Sequence, residues 1–211
     1  MPLIKTISIG NSSALFWLIT ESADDLLKGT VLSHDELIRY KGFSNDRRKK
    51  EFLAVRHLLQ NLPAGACGLS YDPSGKPELK GSGFFVSVSH SPSLAALVVS
   101  DKPCGVDVEE LTRNTERISE RFLSKEELEW TSAMKEVRLV RLVCWCVKEA
   151  VYKLMGAAEV DFARHIKVLP FTPVPDFGIK ALFLKGGSPV SVKLRFDFVE
   201  NNAVVWGVVN D

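Results

Sequence analysis

The feature that most constrains the fold is a long helical pattern between Glu136 and Met155. Apolar side chains recur along it every three or four residues, which places them in one stripe on one face of a helix. The stripe consists of Val140, Val143, Val147, Val151 and Leu154. Gly156 follows at once, and glycine often ends a helix. We therefore expect one long helix that buries a single face.

Shorter helical patterns flank this long one. Ser33 and Ser124 each stand three residues before a glutamate, which is the pattern of a capping box at a helix start. Ser44 is expected to cap a further helix that runs to about Leu62. That helix has apolar residues at helical spacing, and Pro63 follows it. These signals predict helices in both halves of the chain.

Alternating apolar residues predict two β-hairpins, one in each half of the chain. The first joins Phe84–Ser89 to Leu94–Val99 across a turn at His90–Ser93. In the second, Val192, Leu194, Phe196 and Phe198 alternate with polar residues, and Asn201-Asn202 turns the chain into a returning strand. Both hairpins are expected to be antiparallel.

Helices precede a hairpin in each half, so we predict an α+β fold built from two similar lobes. Its 211 residues suit two units of half that size. Each lobe is expected to pack a small antiparallel sheet on a long helix. We divide the chain into an N-terminal lobe, 1–102, and a C-terminal lobe, 103–211.

Composition excludes several classes of function. Basic residues number 27 and acidic residues 26, so the balanced charge does not favour nucleic acid as a partner. The four cysteines show no zinc spacing and are interpreted as free thiols in a reducing compartment. The apolar run Ala14–Ile19 is too short to span a membrane, and the first residues make a poor signal peptide. We predict a cytoplasmic protein without a membrane partner.

The stretch Gly105-Val106-Asp107-Val108-Glu109 contains an unusual pair of carboxylates. Side chains alternate faces along a strand, so Asp107 and Glu109 point the same way. Two like charges on one face repel unless a cation lies between them. The alternative is an edge strand whose carboxylates are simply solvated, which is the better interpretation of this stretch alone.

A third carboxylate lies on the long helix. Glu149 and Lys153 are four residues apart and share a face, with Trp145 one turn earlier. An ordinary surface ion pair is one interpretation. Together, however, Asp107, Glu109 and Glu149 would make an all-oxygen site that suits Mg²⁺.

Several basic residues could bind phosphate. Arg47, Arg48, Lys49 and Lys50 crowd the first turns of a helix, where the helix dipole favours an anion rather than a cation. His90 lies at the tip of the first hairpin, and Lys76 follows a tight turn signal at 72–75. Simple exposure to solvent is the alternative for each of them. It is the better interpretation of any one residue of the basic run, whereas a phosphate contact is the better interpretation of His90.

These motifs together resemble the 4′-phosphopantetheinyl transferase superfamily. Their order along the chain is Gly75-Lys76-Pro77, Ser87-Val88-Ser89-His90-Ser91, Gly105-Val106-Asp107-Val108-Glu109, and Trp145-x-x-Lys148-Glu149-Ala150-x-x-Lys153. The resemblance is to the larger, monomeric type, which activates carrier proteins of peptide, polyketide and fatty acid synthesis. It implies a pseudo-twofold pair of α/β lobes with coenzyme A in the cleft between them.

The resemblance also implies roles for individual residues. Asp107, Glu109 and Glu149 would hold Mg²⁺, or Mn²⁺ in its place, and Glu149 and Lys153 would serve catalysis. Contacts to coenzyme A are implied for Arg47, Lys76, Ser89, His90, Lys148 and Lys153.

The implied reaction transfers the 4′-phosphopantetheine of coenzyme A to a serine of an apo acyl or peptidyl carrier protein. Adenosine 3′,5′-bisphosphate leaves, and Glu149 is the candidate base for the serine proton. Two other functions stay open for the same residues. One is a different Mg²⁺-dependent phosphate-ester enzyme, such as a nucleotide hydrolase. The other is a non-catalytic module that binds acidic carrier domains through its basic residues.

Overall fold

A computed structural model describes residues 3–62, 68–73 and 75–209. The chain forms two compact units, Met1–Asp101 and Lys102–Asp211, a division one residue from the one drawn on the sequence. The expectations that concern Pro63, Cys67 and Ser74 lie outside the described residues. No described helix is both long enough and apolar enough to cross a lipid bilayer.

The N-terminal unit packs an antiparallel sheet, ordered β1-β2-β6-β5, on helix α3. Strands β3 and β4 form a separate two-stranded sheet, and in sequence they lie between α3 and β5. The elements are β1 (Leu3–Ile9), β2 (Ser12–Leu18), α1 (Ala23–Lys28), α2 (His34–Lys41), α3 (Asp46–Gln60), β3 (Leu69–Tyr71), β4 (Pro77–Leu79), β5 (Phe85–His90) and β6 (Leu94–Ser100). The core of this unit includes Leu15, Trp17, Phe52, Val55, Leu59 and Leu97.

Helix α3 begins one residue later than expected. Asn45, not Ser44, is its N-cap, because the Asn45 Oδ1 atom accepts a hydrogen bond of 2.8 Å from the Arg47 backbone N–H. The capping box at Ser33 is present as predicted.

The C-terminal unit packs a second antiparallel sheet, ordered β7-β11-β10-β9-β8, on helix α6. Its elements are β7 (Cys104–Glu110), a 3-10 turn (Glu116–Ile118), α4 (Ser119–Phe122), α5 (Lys125–Ser132), α6 (Val137–Met155), α7 (Phe162–His165), β8 (Ile166–Val168), β9 (Gly178–Phe183), β10 (Val190–Val199) and β11 (Asn202–Val208). Gly156 ends α6 with a φ of 59°, in the left-handed region that favours glycine. The predicted α+β class, with an antiparallel sheet on a long helix in each unit, is confirmed.

The stripe predicted for α6 is its buried face. Val140, Val143, Val147 and Val151 are fully buried, and they contact apolar residues of the sheet. Burying such side chains stabilises the unit by about 25 cal/mol for each Å² of apolar surface removed from water. The sequence pattern therefore sets which face of α6 meets the sheet, and that orientation positions the candidate site.

Candidate functional site

Strand β7 holds Asp107 and Glu109 on one face, as the alternation predicts. It pairs antiparallel with β11, with Asp107 opposite Val205, and it lies at the edge of the sheet. The interpretation of this stretch as an edge strand is therefore correct, since β7 pairs with β11 and is an end strand in the order of the sheet. The carboxylates are not simply solvated, however, because Asp107 is only 4% exposed.

Helix α6 approaches β7 closely at Gly105. A Cβ atom at this position would lie 2.0 Å from the Ala150 carbonyl oxygen and 2.9 Å from the Leu154 Cβ. Real Cβ atoms do not come so near, so only glycine permits this contact between helix and strand. Glu149 flanks Ala150 along the helix, and this approach therefore brings it to the carboxylates of β7.

Lys153 connects the helix to the strand. Its Nζ donates hydrogen bonds to the Asp107 Oδ1, at 2.8 Å, and to the Val106 carbonyl oxygen, at 2.9 Å. The Lys153 side chain is 26% exposed, so the ammonium group lies at the margin of the site. Lys153 thus offsets the charge of Asp107, and one part of the repulsion on β7 is relieved by this lysine.

Glu109 is held by two donors at one of its oxygens. Its Oε1 accepts hydrogen bonds from the Arg113 Nη1, at 2.6 Å, and from the Trp145 Nε1, at 2.9 Å. Burial and the neighbouring Asp107 raise the pKa of Glu109, and the bonds from Arg113 and Trp145 oppose that rise. Arg113 therefore relieves the second part of the repulsion on β7.

Glu149 is the carboxylate that remains in excess. Burial raises its pKa to about 7, the charges of Asp107 and Glu109 add to the rise, and Lys153 and Arg113 oppose it. Three carboxylates thus face two cations. Among the described residues, no three acidic, histidine or cysteine side chains are already gathered into a metal-binding cluster.

A groove of approximately 650 Å³ opens beside Glu149 on the C-terminal unit. Its lining is partly apolar or aromatic and partly charged, and the charged residues are Glu149, Glu159, Asp161 and Arg121. The lining residues with apolar side chains are Ile118, Phe122, Trp145, Val160 and Phe162. A ligand in this groove would therefore reach the excess carboxylate.

Lys148 is placed where it cannot serve the predicted phosphate contact. It is fully buried, and its Nζ donates to the Glu127 Oε2 at 2.7 Å, the Phe162 carbonyl at 2.9 Å and the Ile166 carbonyl at 2.6 Å. An ammonium group has three N–H donors, and all three are used. The expected role of Lys148 in binding coenzyme A is contradicted by this geometry, because helix α6 turns the side chain into the core.

The N-terminal unit contains a separate cavity of approximately 190 Å³ with a cationic lining. The charged and aromatic side chains that line it include Arg39, Arg48, Glu51, Arg56, Tyr71 and His90. The guanidinium carbon of Arg39 lies 4.0 Å from the centroid of the Tyr71 ring. Two carboxylates, Glu51 and Glu36, pair with these three arginines, so one positive charge is in excess, which suits an anion.

Two contacts organise this cavity. Arg48 donates to the Glu51 Oε2 at 3.0 Å and contacts the His90 Nε2 at 3.1 Å. Arg56 pairs with Glu36 at 3.1 Å and is only 4% exposed, yet its Nη2 has no hydrogen-bond partner within the described part of the chain. A buried guanidinium N–H with no partner costs free energy unless a ligand supplies an acceptor.

The structure brings some of the expected phosphate-binding residues to this cavity and not others. His90 lines it, whereas Arg47 does not, is half-exposed and pairs with the Glu51 Oε1 at 2.7 Å. Lys76 is fixed at its backbone by Asp72, at 2.9 Å, between two residues that line the cavity. Ser89 is buried on β5.

Sequence reasoning named Arg48 only as one of four neighbouring basic residues, and it predicted no phosphate contact for Arg56. A signal was available, because Arg48, Phe52 and Arg56 follow one another at intervals of four and so lie along one side of α3. Tyr71 had no such signal, since the β3-β4 sheet brings it to the cavity. The same is true of Arg113, which reaches Glu109 only because the chain turns after β7.

A family of known proteins resembles the C-terminal unit in sequence. Residues 103–199 match the family described as the 4′-phosphopantetheinyl transferase superfamily. The chain is 31% identical over 110 residues to a 4′-phosphopantetheinyl transferase, psf-1, from Bacillus pumilus, a match that covers 48% of this chain and 46% of that protein. It therefore spans about half the length of this curated relative.

A solved structure gives a weaker likeness. The crystal structure of Thermotoga maritima holo-[acyl-carrier-protein] synthase (AcpS) is 20% identical, with a TM-score of 0.39, over 52% of this chain and 63% of that one. The family match falls on the unit that carries Asp107, Glu109 and Glu149. Residues 103–199 are therefore similar in sequence to the 4′-phosphopantetheinyl transferase superfamily, the family that the motifs of the chain resemble.

Proposed function

We propose that the protein transfers the 4′-phosphopantetheine group of coenzyme A to a serine of an apo acyl or peptidyl carrier protein. The observation that carries this proposal lies in the unit that matches the superfamily: the charges of Asp107 and Glu109 raise the pKa of Glu149, and Lys153 pairs with Asp107. Coenzyme A and the carrier protein are the two proposed partners.

The carboxylate group fits Mg²⁺ by its chemistry. All its donors are carboxylate oxygens, which Mg²⁺ prefers, and one negative charge is left over after Lys153 and Arg113 are counted. Asp107, Glu109 and Glu149 would hold the ion. When bound, Mg²⁺ would polarise the pyrophosphate of coenzyme A and offset the charge that develops on it.

The residues of the chain have separate roles in the proposed transfer. The serine hydroxyl of the carrier attacks the pantetheine-side phosphorus, and adenosine 3′,5′-bisphosphate leaves with the electron pair of the broken P–O bond. Glu149 would receive the serine proton, directly or through a water molecule, and the water route is favoured because a carboxylate that holds Mg²⁺ is a weak base. Lys153 contributes positive charge at the edge of the site.

The cavity of the N-terminal unit is proposed to bind a phosphate group of coenzyme A. Its three arginines and His90 supply the donors, and the unused N–H of Arg56 is available for one more acceptor. Arg48 contacts both His90 and Glu51, so it is the central cation of this set.

Replacing Arg48 with alanine is expected to raise the KM for coenzyme A by about 10- to 100-fold, because a hydrogen bond to a charged group contributes about 1.5–3 kcal/mol. Arg47→Ala is the matched control, since Arg47 pairs with the same Glu51 but does not line the cavity. Steady-state kinetics at saturating carrier protein would measure both. An equal rise in the two variants would contradict the assignment of Arg48.

The proposed function is tested by incubating the protein with coenzyme A, Mg²⁺ and several apo carrier proteins. We expect mass spectrometry to show a phosphopantetheine adduct on the carrier serine. Hydrolysis of coenzyme A without a carrier would support a phosphate-ester hydrolase instead. Carrier binding without any adduct would support a non-catalytic module, and either result would overturn the proposal.

A further inference from the structure

The two oxygens of Glu109 are in different situations. Oε1 accepts from both Arg113 and Trp145, at 2.6 and 2.9 Å. Within the described residues, Oε2 accepts no hydrogen bond. A carboxylate oxygen that receives two donors fixes the orientation of the whole group, so the position of Oε2 is determined by contacts made at Oε1.

Trp145 is itself firmly held. Its indole packs edge-to-face on Phe122, with ring centroids 5.1 Å apart, and against Phe162 at 5.8 Å. The guanidinium carbon of Arg113 lies 5.1 Å from the centroid of the indole ring. The indole N–H is therefore aimed by packing that Glu109 does not provide. Helix α6 then carries Glu149 one turn further along.

We propose that Trp145 is a positioning residue, which holds Glu109 through Oε1 so that Oε2 is presented to a divalent cation. The indole N–H suits this task because it is a donor without charge, and it orients the carboxylate without repelling the cation. Arg113 reinforces the same orientation while no cation is present. The inference rests on the proposed function only for the identity of the ion.

Its test measures cation binding rather than transfer, so its failure is separate from that of the proposed function. Trp145→Phe keeps the ring and removes the N–H donor. We expect it to weaken Mn²⁺ binding by about 10-fold or more, as is typical when a group that orients a metal ligand is lost. Free Mn²⁺ would be counted by electron paramagnetic resonance. Trp130→Phe is the matched control, since Trp130 packs on Phe171.

A double-mutant cycle separates positioning from general stability. If Trp145 acts through Glu109, Trp145→Phe should cause no further loss of Mn²⁺ affinity when Glu109 is already alanine. Additive losses would overturn the proposal, as would wild-type affinity in Trp145→Phe. The thermal unfolding of each metal-free variant would also be compared. The positioning role predicts that Trp145→Phe stays folded at the temperature of the binding assay and still binds Mn²⁺ more weakly.

A measurement on the wild-type protein covers the case in which Trp145→Phe does not fold. The chain has four tryptophans, so its ¹⁵N–¹H spectrum contains four indole N–H signals. Phenylalanine variants of the three tryptophans other than Trp145 would each remove one signal, which leaves the Trp145 signal assigned. Mg²⁺ is expected to shift the Trp145 signal. Trp17 is the internal control, since its Nε1 has no hydrogen-bond partner among the described residues. An unmoved Trp145 signal at saturating Mg²⁺ would overturn the proposal.

Discussion

Replacing Asp107 with asparagine should lower kcat/KM for phosphopantetheinyl transfer by about 10³-fold or more, because a bound metal supplies several kcal/mol to the transition state and each 1.36 kcal/mol is tenfold in rate. Asparagine has the size of aspartate and can still accept from Lys153, whose Nζ lies 2.8 Å from Oδ1. What it loses is the negative charge that a dication requires. Transfer to a carrier protein, followed by mass spectrometry at increasing Mg²⁺, would measure the effect.

The matched control for Asp107→Asn is Glu110→Gln. Glu110 stands on the same strand, and the alternation of side chains puts it on the opposite face from Asp107 and Glu109. The Glu110→Gln variant loses one negative charge, as Asp107→Asn does, and its transfer activity should stay within a few-fold of that of the wild type. Full activity in Asp107→Asn would remove Asp107 from the metal site, and an equal loss in both variants would mean that charge on β7 matters without a specific site.

Short-range patterns predicted the elements that build this site. The stripe on α6, its end at Gly156 and the alternation on β7 are each set by residues within one element. Such signals survive because helix period, strand period and helix caps depend on local geometry. They were enough to place Asp107 and Glu109 on one face of a strand and Glu149 on a helix.

What the sequence did not predict depends on contacts between elements. The electrostatics of Glu109 involve Arg113 and Trp145, and neither contact follows from spacing alone. The strands β8 and β9 also escaped prediction, because β8 has only three residues and Leu182 interrupts the apolar–polar alternation of β9. Gly105 was noted only as part of a motif, although its physical role is to let α6 approach β7.

The position of Lys148 also depends on contacts between elements that the sequence did not predict. It stands next to Glu149, but one residue along a helix is a rotation of about 100°, which carries its side chain to another face. There it meets Glu127, whose predicted part was only to complete a capping box with Ser124. The box is present, and the same carboxylate also binds the Lys148 ammonium and, through Oε1, the Val168 backbone N–H at 2.7 Å. One acidic residue thus joins α5, α6 and β8.

Lys148→Met should therefore act on stability and not on substrate binding. Removing one partner of a buried ion pair leaves the other charge without compensation and typically costs about 3–5 kcal/mol. The uncompensated charge would be the fully buried carboxylate of Glu127. The Phe162 and Ile166 backbone carbonyls would also lose their hydrogen-bond donor. We expect the free energy of unfolding, measured with guanidinium chloride, to fall by this amount. The KM for coenzyme A should be unchanged in the protein that remains folded.

Lys167→Met provides the matched control, because Lys167 on β8 pairs at 2.7 Å with Glu126, the neighbour of Glu127 on α5, but in a solvent-exposed position. An exposed pair contributes about 0–1 kcal/mol, so this variant should lose little stability. Glu127→Gln combined with Lys148→Met should recover part of the loss, since no buried charge is then left alone. If Lys148→Met instead raised the KM for coenzyme A and left the stability unchanged, the result would contradict this interpretation. It would support the predicted contact between Lys148 and a phosphate of coenzyme A.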